Sequence, residues 1–295
     1  MAEAGIRVLL ALLWLLHLLP LGVLAVLGRG LGAVAHLVAR KRRRIALRNL
    51  ELCFPAMPPA EREALVREHF KLLVRSMLER SLLWHASPQR LRRLIHVEGD
   101  IGLADRGGKP VMWLVPHFVG LEVAGAAVQL FQNTWGIDIY QPQRSRAFDA
   151  ALKKGRLRFG RGEAHPRGLP IRQLMRRIKE GCAFFNMPDQ DFGAKDADFV
   201  PFFGVPACTL LAPSRMARLM GMAVQPVVVT LLPGGQGWRV RFHEPWAGWP
   251  TDDPKADTAA MNAFIERAIL EAPAQYLWVH KRFKTRPPGE PPLYG

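Results

Sequence analysis

The sequence predicts an α/β protein: a layered domain with a central mixed sheet flanked by helices, preceded by an N-terminal transmembrane helix. Two observations support this prediction. Short apolar runs of strand type alternate with helical patterns after residue 100, and a twenty-residue apolar segment without formal charge lies near the N-terminus. With 49% hydrophobic and 22% charged residues over 295 positions, the chain can bury a sizeable core, which excludes wholesale disorder.

The apolar segment covers residues 8–27, and as a helix it would be about 30 Å long, one hydrocarbon thickness. The basic run at 40–44 follows it. By the positive-inside rule this run places the rest of the chain on the cytoplasmic side, near anionic headgroups. We therefore expect a membrane anchor and basic flank at 1–40 and an α/β domain at 41–295. A cleaved signal peptide and a buried core helix remain open as alternatives.

Hydrophobic periodicity and turn signals predict the remaining elements. Helices are expected at 43–54, 60–84, 120–131, 170–180, 207–220 and 258–271. Strands are expected at 111–115, 183–187, 224–232 and 238–243. The order of the strands cannot be obtained from these patterns.

The charge balance and the cysteine count restrict the class of protein. The formal net charge is +16, and it stays at +11 without the run at 40–44, so the basic character belongs to the whole chain. Such a protein favours acidic partners: nucleic acid, an anionic membrane surface or a phosphorylated substrate. Three cysteines without CxxC pairs exclude a disulfide framework and a zinc cluster. No metal or nicotinamide cofactor is predicted.

His117 has the most informative setting of the nine histidines. It follows an apolar strand and Pro116, at the edge of the sheet where open α/β sheets bind ligands. Glu122 lies five residues later, about 140° away on one continuous helix. The two side chains can therefore meet only if His117 lies on the loop before the helix, which Pro116 and Gly120 favour. A carboxylate on one ring nitrogen would leave the other free to accept a proton, although a satisfied core histidine remains an alternative.

The pair of His117 and Glu122 is one of several sequence blocks that together resemble a known family. The blocks follow one another along nearly the whole chain. They are the apolar N-terminal helix, RNLELCFP at 48–55, His117 with Glu122, GRLR at 155–158, PDQDFG at 188–193, VPFFGVPA at 200–207 and QYLWVHKRFKTRP at 275–287. With these blocks the chain resembles the lysophospholipid-acyltransferase superfamily, in which an H-x4-D/E pair catalyses acyl transfer to a hydroxyl. Within it, the chain is similar to the bacterial lipid A biosynthesis acyltransferases, the late lauroyl and myristoyl transferases.

The resemblance implies a reaction, partners and a location. His117 is expected to deprotonate a hydroxyl on an acyl chain of a Kdo-bearing lipid A precursor. Glu122 is expected to orient the His117 ring. The alkoxide then attacks the thioester of a lauroyl or myristoyl chain on acyl carrier protein, without a cofactor. The implied partners are acyl carrier protein, the phosphorylated glycolipid acceptor and an anionic membrane surface. The implied location is the bacterial inner membrane, with a single pass and the catalytic domain on the cytoplasmic face.

Three further residues are candidates for substrate binding. Arg156 and Arg158 could stabilise an oxyanion or bind phosphate, since guanidinium pairs with phosphate in bidentate geometry. Alternatively they form a basic helix face near lipid headgroups. Asp189 follows a predicted strand and either shapes the site or caps a turn.

The sequence departs from the family pattern at one position, and two alternative functions stay open. Relatives often have Tyr-Arg-Pro where this chain has Tyr140, Gln141 and Pro142, so an arginine contact to substrate cannot be assigned to position 141. Another membrane lipid could be the acceptor. A basic membrane-anchored protein that binds anionic lipid or nucleic acid is the alternative from a different class, although no nucleic-acid-binding motif is present and no nucleic acid is expected as a partner.

Overall fold

A computed structural model describes residues 3–295, so the first two residues of the predicted anchor lie outside the described chain. The helices are α1 Glu3–Leu16, α2 Leu21–Val38, α3 Arg40–Cys53, α4 Pro59–His85, α5 Pro88–Leu94, α6 Leu121–Phe131, α7 Arg146–Arg156, α8 Ile171–Lys179, α9 Ala212–Met220 and α10 Pro254–Glu271. The strands are β1 Ile95–Gly99, β2 Val111–Leu114, β3 Gly136–Tyr140, β4 Gly162–Pro166, β5 Ala183–Asn186, β6 Ala197–Phe202, β7 Val205–Leu210, β8 Ala223–Leu231 and β9 Trp238–Phe242.

Seven strands form the predicted mixed sheet, in the order β1-β9-β8-β2-β5-β3-β4. All neighbouring pairs are parallel except β8 and β9. Strands β6 and β7 form a separate antiparallel hairpin. The carboxyl ends of β2, β5, β3 and β4 therefore lie along one edge, where an open α/β sheet places its ligand sites.

The sheet separates two hydrophobic clusters because successive side chains of a strand point to opposite faces. On β2, Val111 and Trp113 belong to the cluster that contains the buried residues of α6. Met112 and Leu114 belong to the other, which contains those of α8 and α10. All four are fully or almost fully buried. Helices thus cover both faces, as predicted for a layered α/β domain.

The N-terminal apolar segment is interrupted, which corrects the predicted single span at 8–27. Helix α1 ends at Leu16 and α2 begins at Leu21. Proline has no N–H for the helical hydrogen bond, and its ring clashes with the carbonyl four residues earlier, so Pro20 ends the first helix. The Arg90 guanidinium donates to the carbonyls of His17 (2.6 Å) and Leu19 (2.5 Å) in the break. The candidate span among the described residues is instead α2, whose mean hydropathy is 1.8.

Helix α2 lies against α4 at two glycines one helical turn apart. A Cβ at Gly28 would be 2.3 Å from the Cα of Arg75, and one at Gly32 would be 2.4 Å from the Cα of Lys71. The two backbones can approach this closely only because residues 28 and 32 have no side chain. The inner face of the apolar helix therefore packs on the α/β domain.

We expect Gly28→Ala to destabilise the α2–α4 contact by about 1–3 kcal/mol, since the added methyl collides with backbone atoms that cannot move aside. Gly30→Ala is the matched control, because a Cβ at Gly30 meets nothing within 4 Å. That control should stabilise α2 by about 0.5–1 kcal/mol through helix propensity. Thermal unfolding in detergent measures both, and equal unfolding temperatures for the two variants would contradict the packing.

The outward faces of α1 and α2 are apolar and exposed. The exposed residues include Trp14 and Leu15 on α1, and Val26 (72%) and Val38 (71%) on α2. Monomeric soluble proteins rarely expose a contiguous apolar surface of this kind. The exposed face therefore indicates association with a membrane.

The predicted helix at 207–220 is wrong in its first part. Residues 207–210 belong to β7, where Ala207 pairs with Val200 and Leu210 with Ala197 of β6. The helix begins only at Ala212. Pairing with a neighbouring strand decides the conformation here, and a single segment does not reveal that neighbour.

Candidate active site

His117 and Asp189 meet at the carboxyl edge of the sheet. His117 follows β2 and Asp189 follows β5, and these two strands are neighbours in parallel register. Gly120 allows the loop after β2 to lie against β8, because a Cβ there would be 2.7 Å from Cγ1 of Val229. On the other side of β2, the N–H of Val115 donates to the carbonyl of Asn186 (2.8 Å), so the β2–α6 loop begins beside the end of β5.

Two hydrogen bonds join the residues. Nδ1 of His117 lies 2.6 Å from Oδ1 of Asp189, and the backbone N–H of His117 donates to Oδ2 at 2.9 Å. The side chain of Asp189 is fully buried, whereas that of His117 keeps 15% of its exposure. With Nδ1 engaged by the carboxylate, Nε2 is the ring nitrogen that can accept a proton.

The ring and the backbone N–H of His117 keep the Asp189 carboxyl ionised. Burial alone would raise the pKa of the Asp189 carboxyl, but the His117 ring and its hydrogen bonds, together with the charge of Arg282, hold the pKa below its usual value. The carboxylate therefore remains a hydrogen-bond acceptor at neutral pH and can stabilise a positive charge on the ring.

The C-terminal segment supports the His117 loop from the other side. The N–H of Leu277 donates to the carbonyl of His117 (2.9 Å), and the N–H of Val119 donates to the carbonyl of Gln275 (2.8 Å). Phe118 and Tyr276 form an isolated bridge between these two hydrogen bonds. The histidine backbone is therefore fixed on both sides.

Glu122 does not make the hydrogen bond to His117 that the sequence predicts. Its carboxylate instead accepts from Arg156, with Nε to Oε2 at 2.9 Å, and lies 3.7 Å from the Arg80 guanidinium. Burial would raise the pKa of Glu122, but Arg80 and Arg156 lower it to about 2. In this structure Asp189 takes the position beside the ring that the spacing assigned to Glu122.

Arg156 links the site to a second acidic residue. Its Nη1 lies 3.9 Å from Oδ2 of Asp138 on β3. Burial raises the pKa of Asp138 to about 6, although the Arg156 charge opposes the shift. Neither Asp138 nor Arg80 was singled out from the sequence, because both come close to Glu122 only through tertiary packing.

Arg158 lies apart from this group. Its guanidinium donates to the carbonyls of Leu83 (3.1 Å) and Ala86 (2.6 Å) at the end of α4 and stacks 4.6 Å from the Phe159 ring. Those carbonyls have no partner within a helix that is ending. Arg158 therefore secures the end of α4, and the structure does not bring it to the site beside Arg156, the other arginine predicted to bind substrate.

A cavity of about 610 Å³ opens beside His117. His117, Glu122, Arg156 and Gln141 line it together with Arg80. The rest of the wall is mostly apolar and comes from α4, α7, the ends of β3 and β5 and the segment after β4; it includes Leu73, Met77, Phe148, Leu152, Phe184 and Phe185. We refer to this space as the catalytic cavity. It can hold long apolar groups next to Nε2 of His117.

Metal ligands are not grouped in the part of the chain that the structure describes. Residues 3–295 contain no cluster of three or more His, Cys, Asp or Glu side chains arranged to hold a metal ion. The three cysteines are buried and unpaired.

A histidine paired with a buried carboxylate at a largely apolar cavity is an arrangement suited to proton transfer from a substrate with long apolar groups. Residues 2–285 match the family described as bacterial lipid A biosynthesis acyltransferase. The chain therefore belongs to the bacterial lipid A biosynthesis acyltransferases, and its reaction is acyl transfer in lipid A biosynthesis.

Individual relatives in Escherichia coli K12 agree with this assignment. The chain is 36% identical to a lipid A biosynthesis palmitoleoyltransferase, covering 97% of this chain and 92% of the relative. It is 33% identical to a lauroyltransferase, with 97% and 93% covered. It is also 30% identical to a myristoyltransferase, with 88% and 80% covered.

Proposed function

We propose that the protein transfers a fatty acyl chain from acyl carrier protein to a hydroxyl on an acyl chain of a Kdo-bearing lipid A precursor. Lauroyl and myristoyl chains are the proposed acyl groups of the donor. The palmitoleoyltransferase among the relatives makes palmitoleoyl a third candidate acyl group. The observation that carries the proposal is the bond between Nδ1 of His117 and buried Asp189 at the apolar cavity.

In the proposed mechanism, Nε2 of His117 removes the proton from the acceptor hydroxyl as its oxygen attacks the thioester carbonyl. Asp189 keeps the proton on Nδ1 and stabilises the imidazolium that forms. The tetrahedral intermediate collapses with breakage of the carbon–sulfur bond, and the thiolate takes the proton from His117. An ester forms, a thioester breaks, and the carrier leaves as a thiol.

Arg156 and Arg80 act on the substrate's charges in this proposal. Glu122 holds both guanidiniums at the cavity wall, and a positioned guanidinium binds phosphate or a developing oxyanion. Glu122 is thus a positioning residue for the arginines rather than for His117.

The proposed location is the bacterial inner membrane, with α2 as a single pass and the α/β domain on the cytoplasmic face. The apolar outer face of α2 supports the membrane contact. The basic run that begins α3 supports the orientation, since basic residues flank the cytoplasmic end of a span.

The test uses the full-length protein, purified in detergent. It is incubated with lauroyl, myristoyl or palmitoleoyl carrier protein and a tetraacylated, Kdo-bearing precursor, and products are identified by mass. We expect one added acyl chain with at least one donor. The matched control is the same precursor without hydroxyls on its acyl chains, which should remain unchanged. Transfer to a lysophospholipid but not to the precursor would assign a different membrane acceptor.

A further inference from the structure

An exposed apolar patch lies where the catalytic cavity opens beyond β4. Leu169 and Ile171 are 47% and 48% exposed, and Phe192 is 38% exposed. All three also line the catalytic cavity, and Arg167 stacks 4.3 Å from the Phe192 ring. An apolar centre at the mouth of a substrate cavity is accessible to a partner that delivers a group into it.

Basic residues of α8 continue from this apolar centre. Arg172 follows Ile171 directly, and within residues 3–295 no acidic group lies within 4 Å of its guanidinium. Arg176, one turn later, has a side chain that is 78% exposed and a single surface partner, Glu180. We define the α8 patch as Arg167, Leu169, Ile171, Arg172, Arg176 and Phe192. An apolar centre with a charged rim has the composition of a protein interface.

The position of the α8 patch favours a soluble partner over the bilayer. Helix α2 contacts the turn after β8, since a Cβ at Gly235 would be 2.5 Å from the Cα of Gly22. Most of the α8 patch follows β4, the last strand in the sheet order, and β2, β5 and β3 lie between β4 and β8. The buried residues of α8, Leu174 and Ile178, belong to the cluster on the other sheet face from α6, whereas the buried residues Leu21 and Leu24 at the start of α2 belong to the α6 cluster. The α8 patch and the start of α2 are thus three strands apart along the sheet.

We propose that the α8 patch is the docking surface for the acidic carrier protein that brings the acyl thioester. This inference rests on the proposed function, because it names the place where that donor binds. Arg172 and Arg176 pair with carboxylates of the carrier. Leu169, Ile171 and Phe192 contact the pantetheine arm that bears the acyl thioester as the thioester enters the catalytic cavity. Complementary charge of this kind increases the rate of association and sets the orientation of the partner.

The test compares two donors of one acyl chain: the acyl carrier protein and a small acyl-pantetheine thioester. We expect the variant with Arg172→Glu and Arg176→Glu to raise KM for the carrier about tenfold or more, with KM for the small thioester unchanged. The control with Lys109→Glu and Arg215→Glu has the same change in charge at exposed residues away from the α8 patch. It should leave both KM values unchanged.

A second measurement does not depend on the variant. In wild type, added salt should raise KM for the carrier and leave KM for the small thioester constant, because exposed charge pairs are screened.

An unchanged carrier KM in the folded α8 variant would overturn the docking surface. Equal losses with both donors, together with weaker binding to vesicles containing phosphatidylglycerol, would also overturn it and assign the α8 patch to lipid. If wild type transferred the chain from neither donor, the proposed function itself would fail.

Discussion

Asp189→Asn and His117→Ala are each expected to reduce acyl transfer by about 10²–10⁴-fold while leaving the fold intact. Asparagine has the same shape as aspartate, so the loss cannot be ascribed to packing. Its amide oxygen can accept from the His117 backbone N–H, but then its NH₂ faces Nδ1. That arrangement makes Nδ1 an acceptor and leaves the proton on Nε2, which can no longer deprotonate the hydroxyl.

The measurement is kcat for each single variant and for the double variant. Because the two side chains act as one unit, the double variant should be no slower than His117→Ala alone. The thermal unfolding temperature serves as the folding control. If Asp189→Asn kept wild-type activity while Glu122→Gln displaced the pH profile of kcat, the pairing of His117 with Glu122 would be the catalytic one.

Glu79→Ala is expected to lower the free energy of unfolding by about 3–5 kcal/mol. Glu79 is buried on α4, where one carboxylate oxygen pairs with Arg75 and the other accepts from Nε1 of Trp238 at 2.7 Å. Arg75 is also buried and donates to the carbonyl of Leu232 at 2.9 Å. Removal of the carboxylate leaves a buried guanidinium without its counter-charge and an indole N–H without an acceptor.

Urea unfolding in detergent measures this loss, and Glu61→Ala is the matched control because Glu61 is exposed on the same helix. Its effect should stay below about 1 kcal/mol. The variant with Arg75→Met and Glu79→Leu should recover most of the lost stability. Burial raises the pKa of Glu79 even beside Arg75. Keeping this pair ionised in the interior therefore has an unfavourable desolvation free energy, which apolar residues of similar size do not have. A Glu79→Ala protein within about 1 kcal/mol of wild type would contradict this account.

The elements with strong local signals were predicted well. The strand at 111–115 and the helix at 120–131 correspond to β2 and α6, and the helix at 60–84 corresponds to α4. By contrast, β3 and β4 contain glycines and charged residues and are five residues long. Their strand conformation depends on pairing within the sheet, which local propensity does not report.

In the candidate site, too, some features follow from local sequence and others depend on the tertiary structure. His117 could be identified because a strand, a proline and a helix surround it locally. Asp189 was named, but its contact with His117 joins residues 72 positions apart. That contact depends on the adjacency of β2 and β5, and the patterns along the chain did not contain the strand order.

The sequence by itself determined the class of fold, the family and the position of His117, because these depend on hydrophobic period, composition and motifs that are local in the chain. Only the tertiary structure decided that Asp189 holds the histidine ring, that Glu122 holds Arg156, and that Arg158 secures the end of α4. Each of these side chains could satisfy its charge with several partners. The strand order and helix packing determine which partner lies within hydrogen-bond distance.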